Sequence, residues 1–576
     1  DIGDSGIRII DELSEKVLGS MEDPNRPGPW DTKGLVFGHV QSGKTGAYTG
    51  LINKAADAGY KIIIVLAGLH NNLRAQTQID IDDGFTGTNS DEGVPSGVGQ
   101  LSSSPALTYS FTSRNEKGDF RRDARNMAKR LINVNPNNDE IMIFVIKKNV
   151  TPLKNLFKWL EGHAPHEKAV EGKKQTYCDG KTEKTVKKYY SRQPLLIIDD
   201  EADQASVDTA KQNVGADGVP DEEHKPKAIN CYIRSILSLF QKSAYVGFTA
   251  TPFANILIHK DSETNNLEKD IFPSSFIYNL SVPSNYYGAE RIFGLRRDDD
   301  RGIEEQPELP LIDEVDDYID YPGSDANDGK KPEGWMPPKV KPDHFPLYRG
   351  EDKIPPSLMV AIKEYILSCA TRHIREGHSI ANSMLIHVTR LGLIQGRVAD
   401  QVKEALRNIQ SAIRRDPKNA GIFIELEELW ITRFIPKNEH FERDDLKLPS
   451  WDDIKAELRR TAEKIVVREV NGYAKEALEY RENEKQGFSV IAVGGEKLSR
   501  GLVLKGLTVS YFLRTTNLFD TLMQMGRWFG YKHHYIDVCR LYLTSKLLES
   551  YQGITNASAE LREHFEYMVA TGATPD

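Results

Sequence analysis

The chain has 576 residues, more than one hydrophobic core holds, so at least two domains are expected. Charged residues make up 28% and the formal net charge is −9, which excludes a generally basic nucleic-acid coat and leaves a local basic track as the means of holding a polyanion. No apolar run is long enough to span a bilayer, no apolar leader opens the chain, and the four cysteines (Cys178, Cys231, Cys369, Cys539) are too scattered for a metal-ligand spacing. A cytoplasmic, reducing compartment is the expectation. The chain opens at Asp1 instead of Met and is read as part of a longer protein.

In chain order, residues 7 to 20 predict a short helix, and Pro24, Pro27, Pro29 and Trp30 an irregular approach. The apolar triplet Leu35–Phe37 then leads into GHVQSGKT, which has the G-x-x-x-x-G-K-T spacing of a phosphate-binding loop. Gly38 and Gly43 allow the backbone close to a phosphate chain. The intervening N–H groups, Gln41 and Ser42 included, and the N-terminus of the next helix would wrap that chain. Lys44 is expected to reach the β and γ phosphates, and Thr45 to hold Mg2+. A helix follows to about residue 59, then a buried strand over 61–66. The strand ends in AGLHNNLRAQT, where His70, Asn71 and Arg74 are candidates for a nucleic-acid backbone.

Residues 84–104 read as a loop, 121–130 as a basic helix, and 141–146 as another buried strand. Lys147 and Lys148 close that strand and are further phosphate-contact candidates. Leu153, Leu156 and Leu160 have helical spacing. Residues 161–190 and 207–228 are polar excursions. Between them PLLIIDDEAD delivers an acid pair on a buried strand. One acid must hold Mg2+ and a neighbour must polarise the attacking water. Asp200 is assigned the metal, Asp199 is its rival, and Glu201 is the general base. A helix over 230–240 and a strand over 244–248 lead to Thr249 and Thr251, whose hydroxyls are placed to sense the γ-phosphate through the acid pair.

Residues 281–350 read as an irregular linker, acidic from 297 on and then rich in Pro and Gly. A helix from 356 to 375 opens a second lobe. The strand 383–388 ends in Thr389 and Arg390, further nucleic-acid candidates. Residues 395–480 read as a helical insertion anchored by Trp430 and Trp451. Strands resume at 488–493, 507–513 and 539–543. Arg500 and Arg527 sit in apolar, Gly-rich contexts where an unpaired guanidinium is costly, so each calls for an anionic partner. The expected organisation is a lead-in over 1–24, lobes over 25–280 and 351–550, and a tail over 551–576. Each lobe is α/β with a mostly parallel sheet.

The ordered set GHVQSGKT, LIIDDEAD, GFTATPF, LSRGL and QMGRWFGY resembles the superfamily-two helicase and translocase core. With AGLHNNLRAQT, LIHVTR and GRWFGY, the set more closely resembles the bacterial and phage Z1-domain family. That family is associated with restriction and phage-defence loci and often labelled endonuclease. The resemblance covers nearly the whole chain. It implies two RecA-like lobes with ATP and Mg2+ between them. It also implies Gln524 near the γ-phosphate, Arg527 as arginine finger, Arg500 at the interface, and Thr249 and Thr251 coupling hydrolysis to motion. One departure is that helicases carry a second arginine three residues on, where this chain has Gly530. Movement along duplex DNA, or an ATP-controlled clamp, is thus expected at least as much as strand separation. The expected function is Mg2+-dependent ATP hydrolysis coupled to DNA, more often duplex than single-stranded, with nuclease or other defence proteins as partners. The alternatives are an ATP-gated protein–protein scaffold and an endonuclease whose metal-binding arrangement the sequence does not display.

Overall fold

The computed structural model describes residues 3–101, 108–116, 118–120, 140–163, 174–176, 183–185, 190, 192–206, 228–252, 271–297, 303–319, 334–337, 340–415, 421–441, 443–470, 486–495, 504–516 and 519–571. The basic stretch 121–130, the excursion 207–228 and Arg500 lie outside them. The chain divides into two compact units, Asp1–Pro283 with Leu561–Asp576, and Ser284–Glu560.

In the first unit, α1 (Gly3–Ser20) precedes β1 (Trp30–Gly38), α2 (Lys44–Ala58), β2 (Ile62–Ala67) and α3 (Asn71–Ile81). Then come β3 (Thr108–Ser110), β4 (Ile141–Ile146), α4 (Val150–His163), β5 (Leu195–Asp200), α5 (Ala228–Leu237), β6 (Lys242–Thr249) and β7 (Phe276–Leu280). The seven strands are parallel throughout, in the order β3-β4-β2-β5-β6-β1-β7. Alternation sorts their side chains. Ile63, Val65, Leu196, Ile198, Val246 and Val36 pack under α1 and α2. Ile62, Ile64, Leu66, Leu195, Ile197 and Tyr245 pack under α4 and α5. Both faces are covered, which is why these strands read as unbroken apolar runs. β1 is longer than the apolar triplet because Trp30–Phe37 pair residue for residue with Lys242–Thr249. Its polar residues are satisfied in place; Lys33 is buried and pairs with Asp31 at 2.9 Å.

The second unit carries β8 (Ile312–Glu314), α6 (Pro356–Glu376), β9 (Ala381–His387), α7 (Gly392–Arg415), α8 (Gly421–Leu429), α9 (Trp451–Lys464) and β10 (Ile465–Val470). It continues with β11 (Phe488–Gly494), β12 (Leu507–Phe512), α10 (Phe519–Met525), β13 (Arg540–Leu543) and α11 (Ser545–Thr571), whose residues from Leu561 on belong to the first unit. The sheet order is β8-β13-β12-β9-β11-β10, again all parallel. These are two RecA-like α/β lobes with a helical insertion.

Two segments differ from expectation. Residues 465–470, expected to be helical, form the edge strand β10 beside β11. The alternate β-branched residues Ile465 and Val467 are buried in the same core as α7 and α9, and Ile465 ends α9 in extended backbone. The expected linker supplies the opposite edge, since Ile312–Glu314 pairs with Leu541–Leu543. Within the insertion, α9 begins where Ser450 and Asp453 form a reciprocal capping box. Cys369 and Cys539 are free and buried, whereas Cys231 is disulfide-bonded, so the expectation of scattered thiols does not extend to all four. Among the described residues no helix is long and apolar enough to cross a membrane.

Candidate phosphate-loop site

The sheet register brings three sequence segments to one edge of the first unit. Phe37 aligns with Thr249, and Asp200 with Phe248, so β1, β6 and β5 end together with β6 in the middle. That C-terminal edge is where open parallel sheets bind ligands. The loop after β1 turns back on itself: the Ser42 hydroxyl donates to the His39 carbonyl at 2.8 Å, and Lys44 Nζ donates to the same oxygen at 2.9 Å. Gly43 has φ 92°, a left-handed conformation that costs glycine nothing, and its carbonyl accepts from Ala47 to start α2. Gly38 is tight: a Cβ there would lie 3.1 Å from Ser42 Oγ and 3.2 Å from Leu280.

Gln41 (φ 58°) and Glu201 (φ 56°) are also left-handed without being glycine. Such backbone costs about 1–3 kcal/mol and clusters where function holds it. Both lie in segments singled out by sequence. Glu201 Oε2 is buried with no hydrogen-bond partner, an acceptor left for something that donates to it.

Tyr48, one turn into α2, ties the two motifs together. Its buried hydroxyl donates to Asp200 Oδ2 at 3.4 Å and also bonds Thr45. The Thr45 hydroxyl and the Asp200 carboxylate thus both lie beside the Tyr48 hydroxyl, and both are hard-oxygen donors of the kind a small divalent cation takes. Asp200 is pushed up to about 7, first by burial, then by the charge of Glu201, while Lys44 and Lys148 pull it back. Its ordinary carboxylate behaviour calls for a cation nearby.

Asp199 is occupied elsewhere. It pairs with Lys148 at 2.7 Å, both side chains fully buried, and accepts from the Tyr245 hydroxyl. Lys148 also donates to the Glu201 carbonyl at 2.6 Å, so this pair pins the turn that presents Glu201.

The threonines bind a different acid from the one expected. Thr249 Oγ1 donates to Asp203 Oδ1 at 2.7 Å and Thr251 Oγ1 to Oδ2 at 3.1 Å, while the Thr251 N–H donates to Thr249 Oγ1 at 3.0 Å. Asp203, raised to about 6 by burial and by Glu201, is the residue through which they meet the acidic strand. The sequence displayed Asp203 inside LIIDDEAD but gave no reason to prefer it over its neighbours.

Among the nucleic-acid candidates, Arg74 and Lys148 need correcting. Arg74 is fully buried and donates to the carbonyls of Ser113 (2.8 Å) and Asn115 (2.5 Å); Lys148 is 1% exposed. Neither reaches a surface on which a polyanion lies. His70 is exposed at the start of α3, whereas Lys147 is buried at 8% exposure and donates to Asn71 Oδ1 at 2.8 Å, so it too is turned inward and not toward a polyanion. In the second unit Thr389 is buried, its carbonyl accepting from Gln395 and its hydroxyl from the Leu391 N–H, and Arg390 is exposed. Gln524 is buried at the end of α10. Arg527 is half-buried in the following turn, just before Trp528 and Phe529, which are buried. Gly526 is required there, because a Cβ would lie 2.2 Å from the Phe529 ring.

A phosphate loop and an acidic strand on a parallel sheet define the nucleotide-binding class of α/β proteins. Residues 357–576 match the family model of the Z1 domain. No curated protein matches the chain. Among solved structures it is similar to the ATP-dependent Type ISP restriction-modification enzyme LlaBIII bound to DNA, at 10% identity and TM-score 0.40, over 98% of this chain and 30% of that one. It is similar to the DUF1998 helicase MrfA bound to DNA and AMPPNP, at 11% identity and TM-score 0.39, over 96% and 50%. It is also similar to the DEAD-box helicase Mss116 bound to ssRNA and UDP-BeF, at 11% and 0.37, over 93% and 69%. The chain therefore spans half or less of the first two, and scores this low carry no functional argument.

Proposed function

We propose that this protein is an ATPase that acts on DNA, in the setting of restriction or phage defence. The observation that carries the reading is the Lys44–Thr45–Tyr48–Asp200 arrangement, in which a phosphate loop and an acid strand meet through one buried hydroxyl. Lys44, now bonded to the His39 carbonyl of its own loop, exchanges that acceptor for the β and γ phosphates. Glu201 accepts a proton from the attacking water through its unpartnered Oε2. Asp203 holds Thr249 and Thr251 beside that base, so loss of the γ-phosphate is felt by β6. Mg2+ would be held by Thr45 and Asp200 and would neutralise charge on the phosphates. Gln524 and Arg527 are assigned to the transferred phosphoryl group. DNA contact is assigned to His70, Asn71 and Arg390, with Arg500 retained at the nucleotide.

The test is phosphate release with Mg2+ and ATP. Lys44→Ala, Glu201→Gln and Arg527→Ala are each expected to lower turnover at least ~100-fold. Glu201→Gln should keep ATP affinity near wild type, because the base does not hold ground-state phosphate. Wild-type release by Glu201→Gln would remove Glu201 from the mechanism.

A further inference from the structure

One buried ammonium ties the end of β4 to the end of β5. Lys148 lies two residues past β4, and its backbone N–H donates to the Gly68 carbonyl at 2.9 Å, just past β2. Its side chain is fully buried among three oxygens. Nζ lies 2.7 Å from Asp199 Oδ1, 2.6 Å from the Glu201 carbonyl and 3.3 Å from Ser206 Oγ. Three acceptors use up the three N–H bonds of an ammonium, so Lys148 holds no ligand of its own. The acceptors are fixed in turn. Asp199 accepts from the Tyr245 hydroxyl on β6, and the Ser206 carbonyl accepts from Asn230 on α5 at 2.8 Å.

The left-handed backbone of Glu201 (φ 56°) persists in a residue other than glycine only where its surroundings over-determine it. The Glu201 carbonyl accepts from Lys148 and also from the Gln204 N–H at 2.8 Å, which fills both of its lone pairs. The Ala202 N–H donates to the Phe248 carbonyl at 3.0 Å, and a Cβ on Gly247 would lie 2.9 Å from Ala202. Of these three hydrogen bonds, two are backbone to backbone and come with the fold; the third comes from a side chain. Glu201 Oε2 is buried with no hydrogen-bond partner, so the backbone, not a bond at that atom, sets where the acid points. A buried ion pair is no better for packing than apolar side chains of the same size. The bond to the Glu201 carbonyl is what a lysine here supplies and an apolar residue does not. The same charge favours the ionised forms of Asp200 and Asp203.

We propose that Lys148 is a positioning residue for hydrolysis. Through the Glu201 carbonyl it holds the general base in its left-handed backbone, and it touches no part of the nucleotide. Asp199 anchors the ammonium. The proposal rests on the nucleotide reading of the loop and on Glu201 as the base.

The experiment compares the full chain as wild type, Glu201→Gln, Lys148→Met, and the double variant Lys148→Met with Asp199→Asn. The double variant removes both buried charges and keeps an acceptor for Tyr245. Each is read for melting temperature without nucleotide, for affinity toward the fluorescent analogue mant-ATP with Mg2+, and for phosphate release at saturating ATP. Release is expressed per mant-ATP-binding site, so unfolded chains do not enter. Lys148→Met is expected to melt lower, because Asp199 keeps its charge without a partner, and the double variant to recover most of that loss. Both are expected to bind mant-ATP within about 3-fold of wild type and to release phosphate at least about 10-fold more slowly, since a displaced base costs rate and not ground-state binding. Wild-type release per site in the double variant would make Lys148 a stability residue alone and overturn the proposal, leaving Glu201 as base. Affinity that falls in step with release would place Lys148 with the phosphate contacts and overturn it too. Wild-type release by Glu201→Gln would overturn the base assignment, and a wild-type chain that binds no mant-ATP the nucleotide reading; either takes this proposal with it.

Discussion

Adjacent residues at the end of one strand have separate fates. Lys147 and Lys148 look identical in sequence, a cationic pair closing an apolar strand. Alternation sends Lys147 toward Asn71 and Lys148 inward to Asp199. Nothing local predicts this, because the partner carboxylate arrives from a strand 51 residues on and the register decides which lysine meets it. The consequence is measurable. Lys148→Met leaves Asp199 buried and without its cation, which costs about 3–5 kcal/mol when one member of a buried pair is removed. Denaturant unfolding should show that loss in the first unit, and DNA affinity of the remaining folded protein should be unchanged. A fully stable Lys148→Met chain with weakened DNA binding would return Lys148 to the nucleic-acid contacts. The glycine-dependent turn between β1 and α2, by contrast, was legible as a turn, since Gly43 takes the left-handed backbone and Gly38 the close approach that their spacing implied.

The strands were readable as elements, because a sheet covered on both faces leaves continuous apolar runs. Their order was not: β6 lies between β1 and β5, and only that neighbourhood carries Thr249 and Thr251 to Asp203. Edge strands were the least readable. β8 is three residues in an acidic segment, and β10 follows α9 without a break.

At the inner elements of the second unit, packing leaves a pH signature. His387, the last residue of β9, is buried edge-on to Phe512 at 5.2 Å, and burial followed by the charge of Arg514 lowers it to about 3. His373 on α6 is lowered to about 4, burial again first. Its tautomer is fixed: Arg372 donates to Asn382 Oδ1, so the Asn382 amide donates to His373 Nε2, and His373 Nδ1 carries the proton toward Thr461. A folded-state value below the unfolded one means that the unfolded chain binds more protons between the two. Stability is therefore complete above about pH 6.5 and is lost as pH falls toward 3. His387 alone should account for about 2 kcal/mol between pH 6.5 and 4.5. Urea unfolding of His387→Phe, which keeps the packing and cannot titrate, should fall less steeply over that range. An unchanged slope would mean that His387 is protonated in the folded protein.

For the whole molecule, the resemblance carried by five motifs gave the two-lobed plan, and the Z1 match lies over its second half. What sequence order could not reveal is that the chain returns to its beginning, with Leu561–Asp576 belonging to the first unit. Hydrolysis coupled to DNA is the property that separates this account from a nucleotide-gated scaffold and from a nuclease. The most direct measurement is phosphate release by the full chain with Mg2+ and ATP, with and without duplex DNA, while the DNA is watched for cuts. The account predicts release that rises with duplex DNA, vanishes in Lys44→Ala, and leaves the DNA intact. Release indifferent to DNA, or DNA cleavage that persists in Lys44→Ala, would contradict it.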